Sequence, residues 1–346
     1  MIREFNYIPL QKVLYGENAV SKINSLLSSM NISKVLVMTS PSVTKTSAFN
    51  GLLNSMGVDF SLFGQVTQHS PLAEIEHATE QLRNHACDGI ISVGGGSVID
   101  SAKVVRYYHN IDLPQIAIPT TLSAAEFSHI AGYSIGGEKN GIRDKKITPG
   151  TVILDPDMTL ETPDRLWRST GIRSLDHAIE SLIHQNLLPL SRDAALKAIK
   201  MLSSNLHEHN VASRLECQIA AWYSYWQVYD SPMGISHTLG RILGARYDIP
   251  HGITSCITLP TVLKHYSEFY PSEMSEIASA ISGKPVRDED PANASFLVGN
   301  LIDSLGLRET LNKYSVGMDQ LDRIIASLNN PEEWHKELVK ELIEAR

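Results

Sequence analysis

The chain has 346 residues, which at roughly 150 residues per domain makes about two domains. Hydrophobic residues are 42% and charged residues 20%, a globular balance that excludes a disordered chain. Lys and Arg number 30 against 38 Asp and Glu, a formal charge of −8; this argues against a general nucleic-acid binder, which needs net positive charge or a basic stripe. No apolar run reaches the ~18 residues of a membrane span, so no membrane role is expected. Glu4 and Asn6 interrupt the first residues, so they do not read as a signal peptide. Three cysteines without CxxC spacing do not suggest a disulfide framework, and a reducing, cytoplasmic setting is expected.

From the N-terminus, helix-like and strand-like segments alternate. Ala19–Met30 reads as a helix, Lys34–Thr39 (KVLVMT) as a strand, Leu72–His85 as a helix and Gly89–Val93 (GIISV) as a strand. Gln115–Ile118 and Thr151–Leu154 are further apolar strands. This order predicts βαβ units on a parallel sheet, whose buried strands read as continuous apolar runs. After Asp155-Pro156 the pattern turns helical, at Ile172–His184, Arg192–Leu206, Glu216–Tyr229, Met274–Ile281 and Glu332–Ala345. Ser191 is an expected N-cap, and Asn330-Pro331 an expected helix start with Pro at the first helical position. Gly283–Ala294 reads as a surface loop. The predicted architecture is α/β, with a Rossmann-like parallel sheet over residues 1–158, followed by an all-α helical domain over 159–346 and a cleft between them.

The sharpest local feature is Gly94-Gly95-Gly96-Ser97-Val98-Ile99-Asp100-Ser101-Ala102-Lys103, between a strand and a helix. Glycines bend the backbone and leave its N–H groups bare, and a helix N-terminus favours an anion such as a dinucleotide pyrophosphate. The plainer reading of the same residues is a tight turn.

GGGSVIDSAK resembles the signature of the iron-containing alcohol dehydrogenase superfamily, which shares its fold with dehydroquinate synthases. Ile118 to Thr121, Asp155-Pro156, Gly171 to Glu180 (GIRSLDHAIE) and Gly234 to Pro260 resemble further family segments in the same order. The loop Thr120 to Glu126 is one residue short of the usual form and is similar to maleylacetate reductases, as is Lys139 with Arg143-Asp144. Those enzymes reduce small oxo-diacids with a nicotinamide cofactor. The resemblance implies NAD(P)H as cofactor, with Gly95, Gly96 and Ser97 on the pyrophosphate and Asp100 toward the nicotinamide. Thr120, Thr121 and Ser123 would line the cofactor, and Lys139 would lie near its ribose. Ser40 ends the second strand where the family often has an acid, so a 2′-phosphate meets no repulsion and NADPH is expected to be tolerated at least as well as NADH.

Metal-dependent relatives hold Fe or Zn with one Asp and three His. The matching positions here are Arg173, His177, His237 and His251, and a further family histidine is replaced by Arg241. If an ion were held, the three histidines would be its ligands, with an open fourth position. Against that stands Arg173: a fixed unit charge ~4 Å from a dication costs on the order of 8 kcal/mol at an effective dielectric of 20, and arginine cannot discard its charge. The histidines could instead only pack. Asp176 points about 100° away from His177 on a helix and is a poor substitute ligand. The expectation is metal-free chemistry: His177, His237, His251, Arg173 and Arg241 act on a small anionic oxo-acid, with Arg173 or Arg241 on its acid group or on the developing oxyanion and His237 or His177 as proton donor. The bland alternative for each arginine is a salt bridge to an acid such as Asp176. His129 is a substrate contact or a packed residue, Tyr247 reads as core, and Trp222 and Trp226 pack together. By analogy a homodimer is expected. Two rivals remain: a non-redox lyase, cyclase or isomerase on the same fold, and a non-catalytic nucleotide-binding protein.

Overall fold

The structure is a computed structural model that describes residue 7 and residues 9–136, 138–184, 187–226 and 234–345. Two compact units divide the chain after Thr162, and the first also takes in His209–Ile219. The sequence alone suggests a single break after residue 158.

The first unit is built on eight strands, β1 (Lys12–Tyr15), β2 (Lys34–Thr39), β3 (Asp59–Phe63), β4 (Gly89–Gly94), β5 (Gln115–Pro119), β6 (Ile130–Ile135), β7 (Glu138–Arg143) and β8 (Thr151–Leu154). Its helices are α1 (Ile23–Ser29), α2 (Ser47–Ser55), α3 (Leu72–Asn84) and α4 (Gly96–His109). Six strands form one parallel sheet in the order β1-β8-β5-β4-β2-β3, while β6 and β7 pair as a separate antiparallel hairpin. Side chains alternate across a strand, so β2 serves two cores at once. Val35 and Val37 join Ile91, Val93, Ile116 and Ile118 in one cluster with residues of α1 and α2. Leu36 and Met38 join Ile90 on the other face, with residues of α3 and α4. Burial on both faces is why KVLVMT is an unbroken apolar run.

The second unit is helical: α5 (Asp164–Leu182), α6 (Pro189–Asn205), the end of α7 (Val211–Ser224), α8 (Ile235–Tyr247), α9 (His251–Phe269), α10 (Pro271–Ser282), α11 (Asn293–Ser304), α12 (Leu321–Ile325) and α13 (Glu333–Glu344). The centre is α5, buried without interruption from Gly171 to Leu182 and packed against α6, α8 and α9. Two expected helix starts are corrected. Helix α6 begins at Pro189, two residues before Ser191, because Pro fits the first turn, where no N–H is needed. Helix α13 begins at Glu333 under a capping box of Glu332 and His335, while Asn330 takes a left-handed turn ahead of it. The expected helix ending at Tyr229 stops at Ser224; residues 227–229 lie outside the described residues.

Candidate active site

Two groups of residues carry chemistry, one in each unit. In the α/β unit, the chain runs β2 to β3 toward one side of the sheet and β4 to β5 toward the other. The carboxyl ends of β2 and β4 therefore flank the topological switch point, where open α/β sheets bind ligands. Thr39 pairs with Val93, and Gly94 with Pro119. This register brings Ser40, the glycine run and Thr120 to one edge, and the Thr120 N–H donates to the Gly94 carbonyl at 3.0 Å. Gly94 has φ +157°, and a Cβ there would lie 2.7 Å from Val98 Cγ2. A Cβ on Gly95 would meet Thr121 at 3.1 Å, and one on Gly96 would meet Ser123 Oγ at 3.1 Å. Side chains at these positions would fill the cradle; glycine leaves it open at the N-terminus of α4. The residues present therefore fit a dinucleotide pyrophosphate.

Beneath that helix start the other expected residues have additional partners. Asp100 is paired with the fully buried Lys103 at 3.1 Å and accepts the Gly132 N–H at 3.1 Å. Lys103 Nζ also donates to the carbonyls of Ala125 and Ile130, at 2.6 and 2.9 Å. Lys103 thus ties α4 to the shortened loop and the β6 strand. Ser97 offers its carbonyl to Ser70 Oγ, Ser40 pairs with Ser42 Oγ, and Lys139 is exposed on β7. Phe127, Ser128 and His129 are buried. Beside them Glu126 is buried, and burial pushes its carboxyl up to about 7.

In the helical unit, Arg173, Asp176, His177 and Glu180 occupy one face of α5, three and four residues apart, and all four are buried. Helix α8 brings Ser236 and His237, and α9 brings His251 and Ser255. Arg173 Nη1 donates to Asp176 Oδ2 at 3.2 Å and to Ser255 Oγ at 2.8 Å. Its Nη2 bonds to His237 Nδ1 and to His251 Nε2, the latter at 2.8 Å. All four terminal N–H hydrogens of the guanidinium are thereby committed. Asp176 Oδ2 also accepts from Ser255 Oγ at 2.6 Å and Ser236 Oγ at 3.1 Å. Burial raises the Asp176 carboxyl, opposed by Arg173 and the two hydroxyls. The salt bridge anticipated as the bland reading of Arg173 is present, and the guanidinium has no pair of hydrogens left to fork onto a substrate acid.

Glu180 holds the start of α8. Its Oε1 accepts the N–H groups of Ser236 at 2.7 Å and His237 at 3.3 Å, two of the unsatisfied donors of a helix N-terminus. A Cβ on Gly234 would lie 2.5 Å from that carboxyl group, so only glycine lets the chain pass there. Burial first, and then the charge of Asp176, hold the Glu180 carboxyl well above the usual range. Burial and the Arg173 charge hold His177 and His237 well below the usual imidazole range. The cluster is thus one guanidinium, two buried carboxyl groups shifted upward, and three imidazoles, of which His177 and His237 are shifted downward.

A divalent ion does not fit this donor set. Two imidazole nitrogens that would face it are spent on a cation, and among the described residues no group of three or more His, Cys, Asp or Glu is arranged to hold a metal. Arg241 lies one turn after His237 on α8, is exposed and makes no ion pair or hydrogen bond among the described residues. Tyr247 donates to Gln320 at 3.2 Å, and the Trp222 and Trp226 rings pack 6.3 Å apart. Sequence reasoning missed Glu180 as a cap and Ser236 and Ser255 as partners of Asp176. For Glu180 the signal was available, since it stands seven residues, two helical turns, after Arg173.

Comparison with known proteins places these features in a family. The profile of iron-containing alcohol dehydrogenase matches residues 10–156, and that of the C-terminal part of the Fe-containing alcohol dehydrogenase family matches residues 168–346. A maleylacetate reductase of Sphingobium indicum is 27% identical over 336 residues, 95% of this chain and 92% of that protein. The crystal structure of maleylacetate reductase from Agrobacterium tumefaciens superposes with a TM-score of 0.88 at 23% identity, covering 99% of each chain. A sulfoacetaldehyde reductase from Bifidobacterium kashiwanohense, solved in complex with NAD+, gives 0.87 at 20% identity over the whole of both chains.

Proposed function

This chain belongs to the iron-containing alcohol dehydrogenase family, as an NAD(P)-dependent oxidoreductase similar to the maleylacetate reductase branch, and on that premise we propose that it reduces the carbonyl of a small anionic oxo-acid without a metal ion. The cradle Gly94–Gly96, with Thr120, Thr121 and Ser123, holds the dinucleotide, which supplies the hydride when bound. Ser40 leaves room and no negative charge for a 2′-phosphate, so NADPH is accepted alongside NADH.

Arg241 is the observation that carries the substrate class. It is an exposed guanidinium, unpaired among the described residues, on the helix face of His237, and guanidinium matches carboxylate, phosphonate or sulfonate in a bidentate fork. Arg173 supports the metal-free part of the reading, because its N–H groups occupy imidazole lone pairs of His237 and His251 that an ion would need.

The test is a set of small carbonyl compounds, anionic and neutral, assayed by NADPH and NADH oxidation before and after chelation. Oxo-acids are expected to be turned over, chelation to leave the rate unchanged, and Arg241→Ala to raise KM for oxo-acids at least tenfold while sparing a neutral aldehyde. Preference for neutral aldehydes, or a rate that follows added zinc or iron, would refute it.

A further inference from the structure

We propose that Arg173 is a positioning residue that fixes His237 as the tautomer with its proton on Nε2, and that this Nε2–H is the donor to the substrate oxygen. The second half rests on the reductase reading; the first does not.

The argument is a count of hydrogens. Arg173 Nη1 gives its two to Asp176 and Ser255, at 3.2 and 2.8 Å. Its Nη2 has two left, and they meet His237 Nδ1 and His251 Nε2. A guanidinium nitrogen only donates, so each of those ring nitrogens accepts and carries no hydrogen. A neutral imidazole has one proton, which then sits on the other nitrogen: Nε2 of His237 and Nδ1 of His251. The partner of one ring nitrogen sets what the other can do. Asp176 holds the guanidinium in place, and Glu180 and Gly234 hold the helix start that carries His237. The tautomer is therefore set by a chain of buried contacts across three helices.

The three histidines are not equivalent in what they present. His177 is buried, and its Nδ1 is sealed in without a partner among the described residues. His237 is half-buried, and its Nε2 has no protein partner among the described residues and is not among the sealed polar atoms. That N–H is thus available to a ligand. Arg241 lies one turn along the same helix, where it can hold the acid group of the molecule whose oxygen meets Nε2–H.

The step balances as follows. A reduced dinucleotide held in the cradle would supply the hydride for the new C–H bond at the carbonyl carbon, and the C=O π pair would move onto oxygen. His237 Nε2–H donates to that oxygen as the charge grows and gives it the proton; the ring regains one from water, and the dinucleotide is left oxidised. A neutral imidazole can polarise a carbonyl in this way. The Arg173 charge on Nδ1 stabilises the ring as it releases the proton, and it does so from a fixed position with no reorganisation.

Side-chain 15N spectra of histidine-labelled full-length protein test the tautomer directly, with His237→Gln assigning the signals. In the wild type, His237 Nε2 should give the protonated-nitrogen shift and Nδ1 the unprotonated one. Arg173→Ala should mix the two tautomers, lower kcat at least tenfold with KM for NADPH unchanged, and bind zinc at least tenfold more tightly, because two imidazole nitrogens then converge on an empty point. Arg173→Lys should restore the wild-type tautomer. A proton on Nδ1 of His237 in the wild type, or an unchanged tautomer in Arg173→Ala, overturns the proposal. If the arginine variants fail to fold, the wild-type spectrum alone decides the first half. The expected tautomer in a protein that turns over no carbonyl compound keeps the positioning role and overturns the donor role along with the reductase reading.

Discussion

Removing the carboxylate of Asp176 is the most direct probe of the buried charge. The side chain is fully buried and is the only anion paired with Arg173 among the described residues. Asp176→Ala leaves a guanidinium that cannot shed its proton, and stripping one partner from a buried pair costs about 3–5 kcal/mol. The hydroxyls add little, since Ser255 Oγ keeps Arg173 Nη1 at 2.8 Å and Ser236 Oγ keeps Thr258 Oγ1 at 2.8 Å. Glu180 works against the loss: the charge of Asp176 adds to the upward shift of its carboxyl, and removing that charge relieves part of the shift. The expected cost is therefore at the low end, about 3 kcal/mol, or a fall in Tm of about 6–12 °C for a unit of this size. Asp176→Ala with Glu180→Gln should lose more than the two single changes together, because the compensating acid is gone. Arg173→Met with Asp176→Leu should lie close to wild type, since a well-packed apolar pair replaces a buried ion pair at little or no cost. Urea unfolding of the five proteins, at constant m value, gives all the terms. A loss below about 1 kcal/mol for Asp176→Ala, with or without Glu180→Gln, would refute the assignment of a buried, charged Arg173.

Two further outcomes are expected. Burial raises the folded-state pKa of Glu126 to about 7 from an ordinary 4.5, so both states are protonated below the unfolded value and only the unfolded state gives up its proton between the two. Stability should fall as pH rises through that window, by about 3 kcal/mol at pH 8. Denaturation of Glu126→Gln from pH 4 to 8 should show wild-type stability at the acid end and higher stability at the alkaline end; parallel curves would refute it. Ser40→Asp, at the end of β2, should weaken NADPH at least tenfold while leaving NADH within about threefold, a change of at least ~0.7 kcal/mol in preference. Fluorescence titration of both dinucleotides measures it, and equal losses for the two would refute it.

The strands legible in the sequence are those buried on both faces. KVLVMT, GIISV, QIAI and TVIL are continuous apolar runs, and they are the four inner strands of the sheet, β2, β4, β5 and β8. The strands that escaped notice lie at edges or in the hairpin. In β3 (DFSLF) and β1 (KVLY) some side chains face solvent, and β7 (EKNGIR) is exposed except for Ile142. Without a second buried face, no apolar run marks them. In the site, chain spacing exposed the face shared by Arg173, His177 and Glu180. What spacing could not reveal is that Ser255, His237 and His251, each more than sixty residues away, use up the hydrogens of Arg173. Long-range partners changed the reading of that arginine from a hand held out to substrate into a clamp on imidazole.

The interleaving of two cores along β2 has a consequence for how this protein can change. Deleting or adding one residue within the strand would exchange Val35 and Val37 with Leu36 and Met38, and both sides of the sheet would be mispacked together. Length changes are thus tolerated only beyond the strand ends, and those ends are where Ser40, Gly94 and Thr120 stand. Nucleotide preference can drift residue by residue along that rim while the slab beneath it stays unaltered.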